Sequence, residues 1–568
     1  MNATVKEHLA FLYGESAAGG LEEAVKILMR EAREDRHSEP LSGKSALTEA
    51  DCLLITYGDQ VRAANKLPLQ TLTEFLSARA TGAISAVHIL PFYPSSSDDG
   101  FSVMDYYAVD PNLGTWGEVE ALGRRFELMF DAVFNHASAQ GVWFGKFLRQ
   151  EPGWETAFFT VSGDPDLSQV VRPRALPLLT EFETAAGTKR VWTTFSADQA
   201  DINFSDPRML LRILEALLFY VNKGARYIRL DAIAFLWKIP GTSCLHLEQT
   251  HRVIRLMRTV LDGVAPDIQL ITETNVPHAD NISYFGNGSD EAQLVYNFAL
   301  PPLVFHTLRS GDASRLRRWA QALELPSDRV TFFNFLASHD GIGMNPARGI
   351  LDQPEIDALV QTAVRHNGFV SYKNNPDGTK SPYELNISYF DALSNPLGGE
   401  SEDTQIARFL AAHSIMLALR GLPGIYFHSL FGSRGDRRGA EESGIPRRIN
   451  RKKLGLAELE AELDKPESLR ARVFAGVRRM LEARAGHPAF SPYARQEIPE
   501  APPGLFLIFR KASDGRDVLC MTNVTPVPIS YSLPDFGEWK SLAEFQGATS
   551  GGKSVRLPPY GVSWLAAA

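Results

Sequence analysis

Cysteine is scarce: Cys52, Cys244 and Cys520 are the only three in 568 residues. They lie far apart and form no CxxC pattern, so they read as small buried hydrophobic residues in a reducing compartment. Long apolar runs are missing too; none approaches the ~18 residues of a membrane-spanning helix. The opening segment, MNATVKEHLAFLYGE, has no basic stretch followed by an apolar one, so no secretion signal is expected. The Asn-x-Ser triplets at Asn281 and Asn386 are then chance occurrences. Positive charge is in deficit, with 58 Lys and Arg against 67 Asp and Glu, a net of −9. That balance argues against general affinity for nucleic acid or an anionic membrane. A phosphate or carboxylate ligand would need a local basic pocket. A soluble, cytoplasmic protein without repeats or low-complexity segments is the expectation.

What is present is globular: 44% hydrophobic and 22% charged residues. Short apolar runs alternate with amphipathic stretches. The runs are CLLITY (52–57), ISAVHIL (84–90), ELMFDAVF (127–134), RYIRL (226–230), IQLITE (268–273), QLVYNFAL (293–300), VTFFNFL (330–336) and PGIYFH (423–428). Eight strand–helix alternations predict an α/β fold, a parallel (β/α)8 TIM barrel. The helix candidate DPRMLLRILEALLFYVNKG opens with Asp206 as N-cap and Pro207 at the first position, and closes with Gly224 as C-cap. Residues 1–48 predict a helical extension, 49–484 the barrel, and 485–568 a small all-β domain. Two gaps, 138–204 and 341–400, are too long for simple helices. They predict inserted loop subdomains at the C-terminal ends of the strands, where barrel enzymes place their sites.

Carboxylates end several of these strands. Asp231 ends the fourth, Glu273 the fifth, and Asp340 follows the seventh, while Asp131 lies within the third. In a barrel these ends converge. Converging like charges is costly. A solvated loop or an Arg partner explains one such residue, not three in order. Two close carboxylates are what retaining glycoside chemistry needs, one to attack the anomeric carbon and one to move the proton. Arg229, two residues before Asp231, projects from the same strand face. It is expected to keep the Asp231 carboxylate ionised.

In order and spacing, DAVFNH, YIRLDAIAF, LITETN and ASHDG resemble the four short motifs of the α-amylase superfamily. The segments ITYGDQ, LPFYPSSSDDGFSVMDY, VRPRALP, WTTFSADQADIN, GTSC, FALPPLVFH, HDGIG and INR extend the likeness to the sucrose phosphorylase family, over nearly the whole chain. The resemblance implies Asp231 as nucleophile, Glu273 as acid/base and Asp340 as a transition-state stabiliser. It implies a glucosyl subsite lined by Arg229, His136 and His339. Asp59 and Arg451 would hold the far hydroxyls, with Phe195 and Gln199 beside the anomeric centre. Arg174, and with it Arg172, would meet phosphate. Where the family usually has Asp-His, this chain has Asp105-Tyr106, leaving the Tyr106 hydroxyl to serve the glucosyl 6-hydroxyl.

The second insertion, YKNNPDGTKSPYELNISYFDALS, resembles the branch of that family acting on glucosylglycerate, as do the N-terminal extension and ITETNVPHADNISYFG. The implied reaction is 2-O-α-glucosylglycerate plus phosphate giving α-glucose 1-phosphate plus D-glycerate. An anionic acceptor or phosphate would suit Lys373, Lys380 and the Arg172–Arg174 pair. Glu384 would orient acceptor hydroxyls or pair with one of these cations. Three alternatives stand beside this reading. They are a sucrose phosphorylase or a relative with another small acceptor, a retaining α-glucosidase, and an inactive carbohydrate-binding barrel. No cofactor is implied, only inorganic phosphate as co-substrate. No complete ligand set accompanies Asn135, which matches a calcium-binding position in some superfamily members, so no metal is expected. The oligomeric state is not legible.

Overall fold

The computed structural model describes residues 3–35, 46–174, 176–375, 379–533, 538–545, 547–551 and 553–567. Eight parallel strands close into a barrel: β1 (Leu53–Thr56), β2 (Ala86–Ile89), β3 (Glu127–Ala132), β4 (Ala225–Leu230), β5 (Gln269–Thr272), β6 (Leu294–Tyr296), β7 (Thr331–Phe335) and β8 (Leu422–Tyr426). Each pairs with its sequence neighbours, and β8 closes on β1 through Leu53 opposite Gly424. Every strand residue except Glu127 is buried. Strands covered on both faces read as continuous apolar runs, which is why all eight are visible in the sequence.

The helix feeding β4, Pro207–Asn222, starts where the Asp206 side chain accepts the Arg208 N–H. Its C-cap is Lys223, one residue before the predicted Gly224. Gly224 follows with φ +92°, a left-handed turn that suits glycine and lets β4 begin at once. The N-terminal extension forms two helices, Val5–Tyr13 and Glu15–Glu34, which pack on Pro207–Asn222 and Glu248–Val264. Tyr13 donates to the Phe204 carbonyl at 2.8 Å, and Arg33 to that of Gly263. The remainder of that predicted segment, 36–45, lies outside the described residues.

Both long gaps carry their own structure. The first holds a three-stranded sheet (Thr160–Val161, Leu179–Thr184, Gly187–Trp192) and ends in Gln199–Asp201, which pairs with His136–Ser138. The second holds the helix Gln353–Arg365 and a sheet of Ile342–Gly343, Phe369–Asn374 and Lys380–Asn386. At the C-terminus a five-stranded antiparallel sheet turns Phe506, Ile508, Cys520 and Trp564 into the main core. Alternate residues Leu507, Met521 and Leu565 pack with Val555 and Leu557 of a three-stranded sheet. The period of two therefore splits each strand between two cores. All three cysteines are buried and free. Among the described residues no helix is long and apolar enough to cross a membrane.

Candidate active site

Arg229 and Asp131 are neighbours in register on β4 and β3, so their side chains share a face. One nitrogen of Arg229, Nη1, lies 2.5 Å from Asp131 Oδ1 and 2.6 Å from Asp231 Oδ1. The second Asp131 oxygen lies 2.7 Å from His88 Nε2. Burial opposes ionisation of Asp131, but Arg229 and His88 hold its carboxyl below the usual range. Asp231 fares differently. Burial lifts its carboxyl above the usual range; Arg229 opposes this and Asp131 adds to it. The expectation that Arg229 keeps Asp231 low is corrected accordingly: burial outweighs the guanidinium, which is shared with a second carboxylate.

Glu273 follows β5 and is pushed up to about 7, chiefly by burial. The nearest Arg229 nitrogen is 3.8 Å away, too far to compensate. The Ala232 N–H donates to Glu273 Oε2 at 3.1 Å. Ala232 has φ +48°, a strained conformation for alanine that places this N–H beside the second carboxyl. Arg229 thus bonds Asp231 directly and leaves Glu273 almost unpaired. Of the two carboxyls only Asp231 is bonded directly by the guanidinium, an asymmetry of the kind that retaining transfer uses.

Asp340 is held in the opposite direction. Burial would raise it, but Arg447 at 2.9 Å, then His339 and Arg451, keep it well below the usual range. Arg447 also pairs with Glu384 at 2.8 Å, and Glu384 accepts the Gly341 N–H. Burial keeps His339 neutral, lowered to about 3. Its ring stacks on Phe101 with centroids 4.8 Å apart.

Asp231, Glu273 and Asp340 line one cavity of about 300 Å³. His136, Phe195 and Gln199 line it from the first insertion and its flanking hairpin. Gln199 Nε2 lies 3.2 Å from both His136 Nε2 and the Phe101 carbonyl. Arg172, Arg174, Lys373 and Glu384 complete the set that the sequence singled out. Arg174 is tied to Asp98 at 2.8 Å.

Five expected site residues are not on this wall, the first being Arg229, which lies behind it bonded to Asp131 and Asp231. Asp59 and Arg451 line a second cavity of about 410 Å³. Asp59 bonds Lys453 at 2.5 Å and Arg62 at 2.7 Å, while Arg451 is taken by Asp99 at 2.6 Å and reaches Asp340 only at 3.4 Å. The Tyr106 hydroxyl donates to the carbonyls of Val133 and His136 and is not on the cavity wall. Lys380 is exposed, opposite Asn374 in its hairpin. Two charged residues on the wall escaped sequence reasoning. Arg447 stands four residues before Arg451 in PRRINR, and Asp98 sits in the quoted SSSDDG. Asn135 Oδ1 lies 2.9 Å from the Lys238 ammonium, which also holds Asp201 at 2.6 Å. Those two oxygens already hold a cation, so they do not fit a metal.

The α-amylase catalytic-domain family matches residues 78–341. The chain is 54% identical to the glucosylglycerate phosphorylase of Allomeiothermus silvanus, over 100% of this chain and 98% of that one. It is 30% identical to a sucrose phosphorylase of Agrobacterium vitis, over 77% of this chain and 88% of the relative. The chain belongs to the sucrose phosphorylase family of the α-amylase superfamily. A solved member of this phosphorylase family, the sucrose 6F-phosphate phosphorylase from Thermoanaerobacter thermosaccharolyticum, superposes with a TM-score of 0.74. That match covers 84% of this chain and 95% of the other at 23% identity, and it speaks for the fold. Within the phosphorylase family, a second relative at 45% identity is the glucosylglycerate phosphorylase of Escherichia coli, over 91% of this chain and 92% of that one.

Proposed function

We propose that this chain phosphorolyses 2-O-α-glucosylglycerate with retention, giving α-D-glucose 1-phosphate and D-glycerate. One observation supports it best: Arg172, Arg174 and Lys373 line the same cavity as Asp231 and Glu273. A cavity that must receive phosphate and a carboxylate-bearing acceptor in turn has use for such cations. The names of the relatives at 54% and 45% identity support the same reaction.

In the first step an Asp231 oxygen attacks C1. The C1–O bond to glycerate breaks, and Glu273 gives its proton to the departing oxygen. In the second, a phosphate oxygen attacks C1 of the glucosyl ester, Asp231 leaves as carboxylate, and Glu273 takes the proton from phosphate. Asp340, held ionised by Arg447, stabilises the positive charge that builds at the sugar ring. His136, His339, Phe195 and Gln199 shape the pocket around it. The reaction uses inorganic phosphate as co-substrate and no resident cofactor, and it belongs in the cytoplasm.

The test is phosphate release from α-glucose 1-phosphate with D-glycerate, fructose, glycerol and fructose 6-phosphate as acceptors. D-glycerate should be the fastest. A faster rate with fructose would make the chain a sucrose phosphorylase. Equal glucose release from glucosylglycerate with and without phosphate would make it a hydrolase.

A further inference from the structure

The segment GTSC, Gly241 to Cys244, has no role in the steps above. It lies between β4 and the helix Glu248–Val264, set back from the cavity wall that the next residue, Leu245, joins. Its own side chains brace the turn. Thr242 Oγ1 donates to the Ile239 carbonyl at 2.7 Å and accepts the Cys244 N–H at 3.2 Å. Ser243 Oγ donates to the Leu245 carbonyl at 3.1 Å. So braced, Cys244 takes φ +51°, a left-handed conformation that is costly for a residue with a Cβ.

What the turn holds is the first insertion. The Gly241 N–H donates to the Asp166 carbonyl at 2.9 Å, and the Val171 N–H to the Ser243 carbonyl at 3.0 Å. The Cys244 side chain is buried in a small apolar cluster apart from the barrel core, with Val161, Leu178 and Trp192. Leu167 and Val170 pack against the same cluster. Among the described residues, Cys244 is its one member from outside the first insertion. Val170 and Leu178 bracket Arg172–Arg174 in sequence. The segment that brings both guanidinium groups to the cavity is therefore anchored on this cluster from each side.

We propose that Cys244 is a positioning residue for phosphorolysis: its turn docks the Arg172–Arg174 segment and so sets how well the glucosyl ester passes to phosphate rather than to water. Cys244 itself touches no substrate. Its sulfur fills the cluster as a small apolar group, while the two backbone hydrogen bonds fix the segment against the turn. A charged group displaced by about 1 Å from its working place can cost up to ~10²-fold. The inference rests on reading Arg172 and Arg174 as the groups that meet phosphate.

The experiment uses α-glucosyl fluoride as donor, whose leaving group needs neither glycerate nor this segment, and inorganic phosphate as acceptor. The unaltered enzyme is compared with Cys244→Ala, Cys244→Ser, Thr242→Val and Arg174→Gln. For each, kcat/KM for the fluoride reports ester formation. The KM for phosphate and the ratio of glucose 1-phosphate to glucose report its transfer. Cys244→Ala and Thr242→Val should raise the KM for phosphate about 10-fold and shift products toward glucose, with kcat/KM for the fluoride kept. Cys244→Ser keeps the size and a donor for the Ile239 carbonyl, which lies 3.3 Å from the sulfur, and should retain most of the phosphate affinity. A fall in kcat/KM for the fluoride that matches the loss on phosphate would mark a general structural role and overturn the proposal. So would an unchanged KM for phosphate in Cys244→Ala and Thr242→Val while Arg174→Gln raises it. An unchanged KM in Arg174→Gln removes the phosphate reading of this segment, and the positioning role with it. Should Cys244→Ala fail to fold, Thr242→Val decides the matter alone.

Discussion

Asp131 lies 2.5 Å from the Arg229 nitrogen that Asp231 also uses. The two carboxylates compete for one donor, and His88 secures Asp131 from its other side. Asp131→Asn removes the competitor and a charge that lifts Asp231. The acid limb of the kcat/KM profile should therefore move to lower pH. Folding should weaken by about 2–4 kcal/mol, because a buried ion network loses one member. Denaturant melting and a pH series measure both. An acid limb that stays in place would show that Asp131 does not set the charge on Asp231.

Glu273 gives the opposite limb. Its carboxyl sits near 7 and must be protonated to cleave the donor. Above that value the acid form is lost, so kcat/KM for the donor should fall as pH rises through about 7. Glu273→Gln should slow transfer strongly and erase this limb. A donor with a very good leaving group needs no proton, so the same variant should still accumulate a glucosyl ester on Asp231, detectable by mass spectrometry. Asp231→Ala should form no ester and lose turnover by about 10⁴-fold or more. Ester formation without Asp231 would remove it as nucleophile.

Much of this arrangement was legible in the sequence, for a physical reason. Strands buried on both faces are apolar runs, and Asp231 and Glu273 each stand directly after one such strand, on the wall of the cavity. Asp231 and Glu273 follow from that alone. Arg229 was legible as a partner of Asp231, by the period of two along a strand. Its second partner was not, because Asp131 meets it across strands nearly 100 positions away in sequence. The loop at Asp98 to Gly100 hides most. Its three residues have φ values of +54°, +48° and +112°. A Cβ at Gly100 would sit 2.6 Å from the Pro91 carbonyl, so only glycine fits. This turn sends Asp98 to Arg174 and Asp99 to Arg448 and Arg451. Arg451, bonded to Asp99, thereby faces a different cavity from Asp231, one that Asp59 also lines, and no motif spacing could reveal this.

Arg447 couples that region to the chemistry. It is the nearest cation to Asp340 and is fixed by Glu384, which is 2% exposed. Removing it as Arg447→Met takes away the main influence holding Asp340 low. The Asp340 carboxyl should rise, so activity on the acid side should be lost at a higher pH than in the unaltered enzyme. A drop in kcat of about 10²-fold or more should accompany it, the scale seen when one electrostatic contact to a transition state is removed. An unchanged acid limb would mean that His339 and Arg451 suffice.

Tyr106 supplies the contrasting case. The family resemblance points its hydroxyl at the sugar, yet here it donates to the carbonyls of Val133 and His136, at 3.0 and 2.9 Å. Those carbonyls belong to the segment that carries His136 to the cavity wall. The ring is buried, 4.6 Å from Trp143 between centroids. Tyr106→Phe keeps the ring and removes the single hydroxyl proton that the two carbonyls share. Stability should fall by about 1–3 kcal/mol. Direct recognition of the 6-hydroxyl by Tyr106 would predict something else: a rise in KM for glucosyl donors that is absent for the corresponding 6-deoxyglucosyl donor. Measuring both donors separates the two roles. An equal, small effect on each, together with a lowered melting temperature, identifies Tyr106 as a brace for the His136 segment rather than a sugar contact.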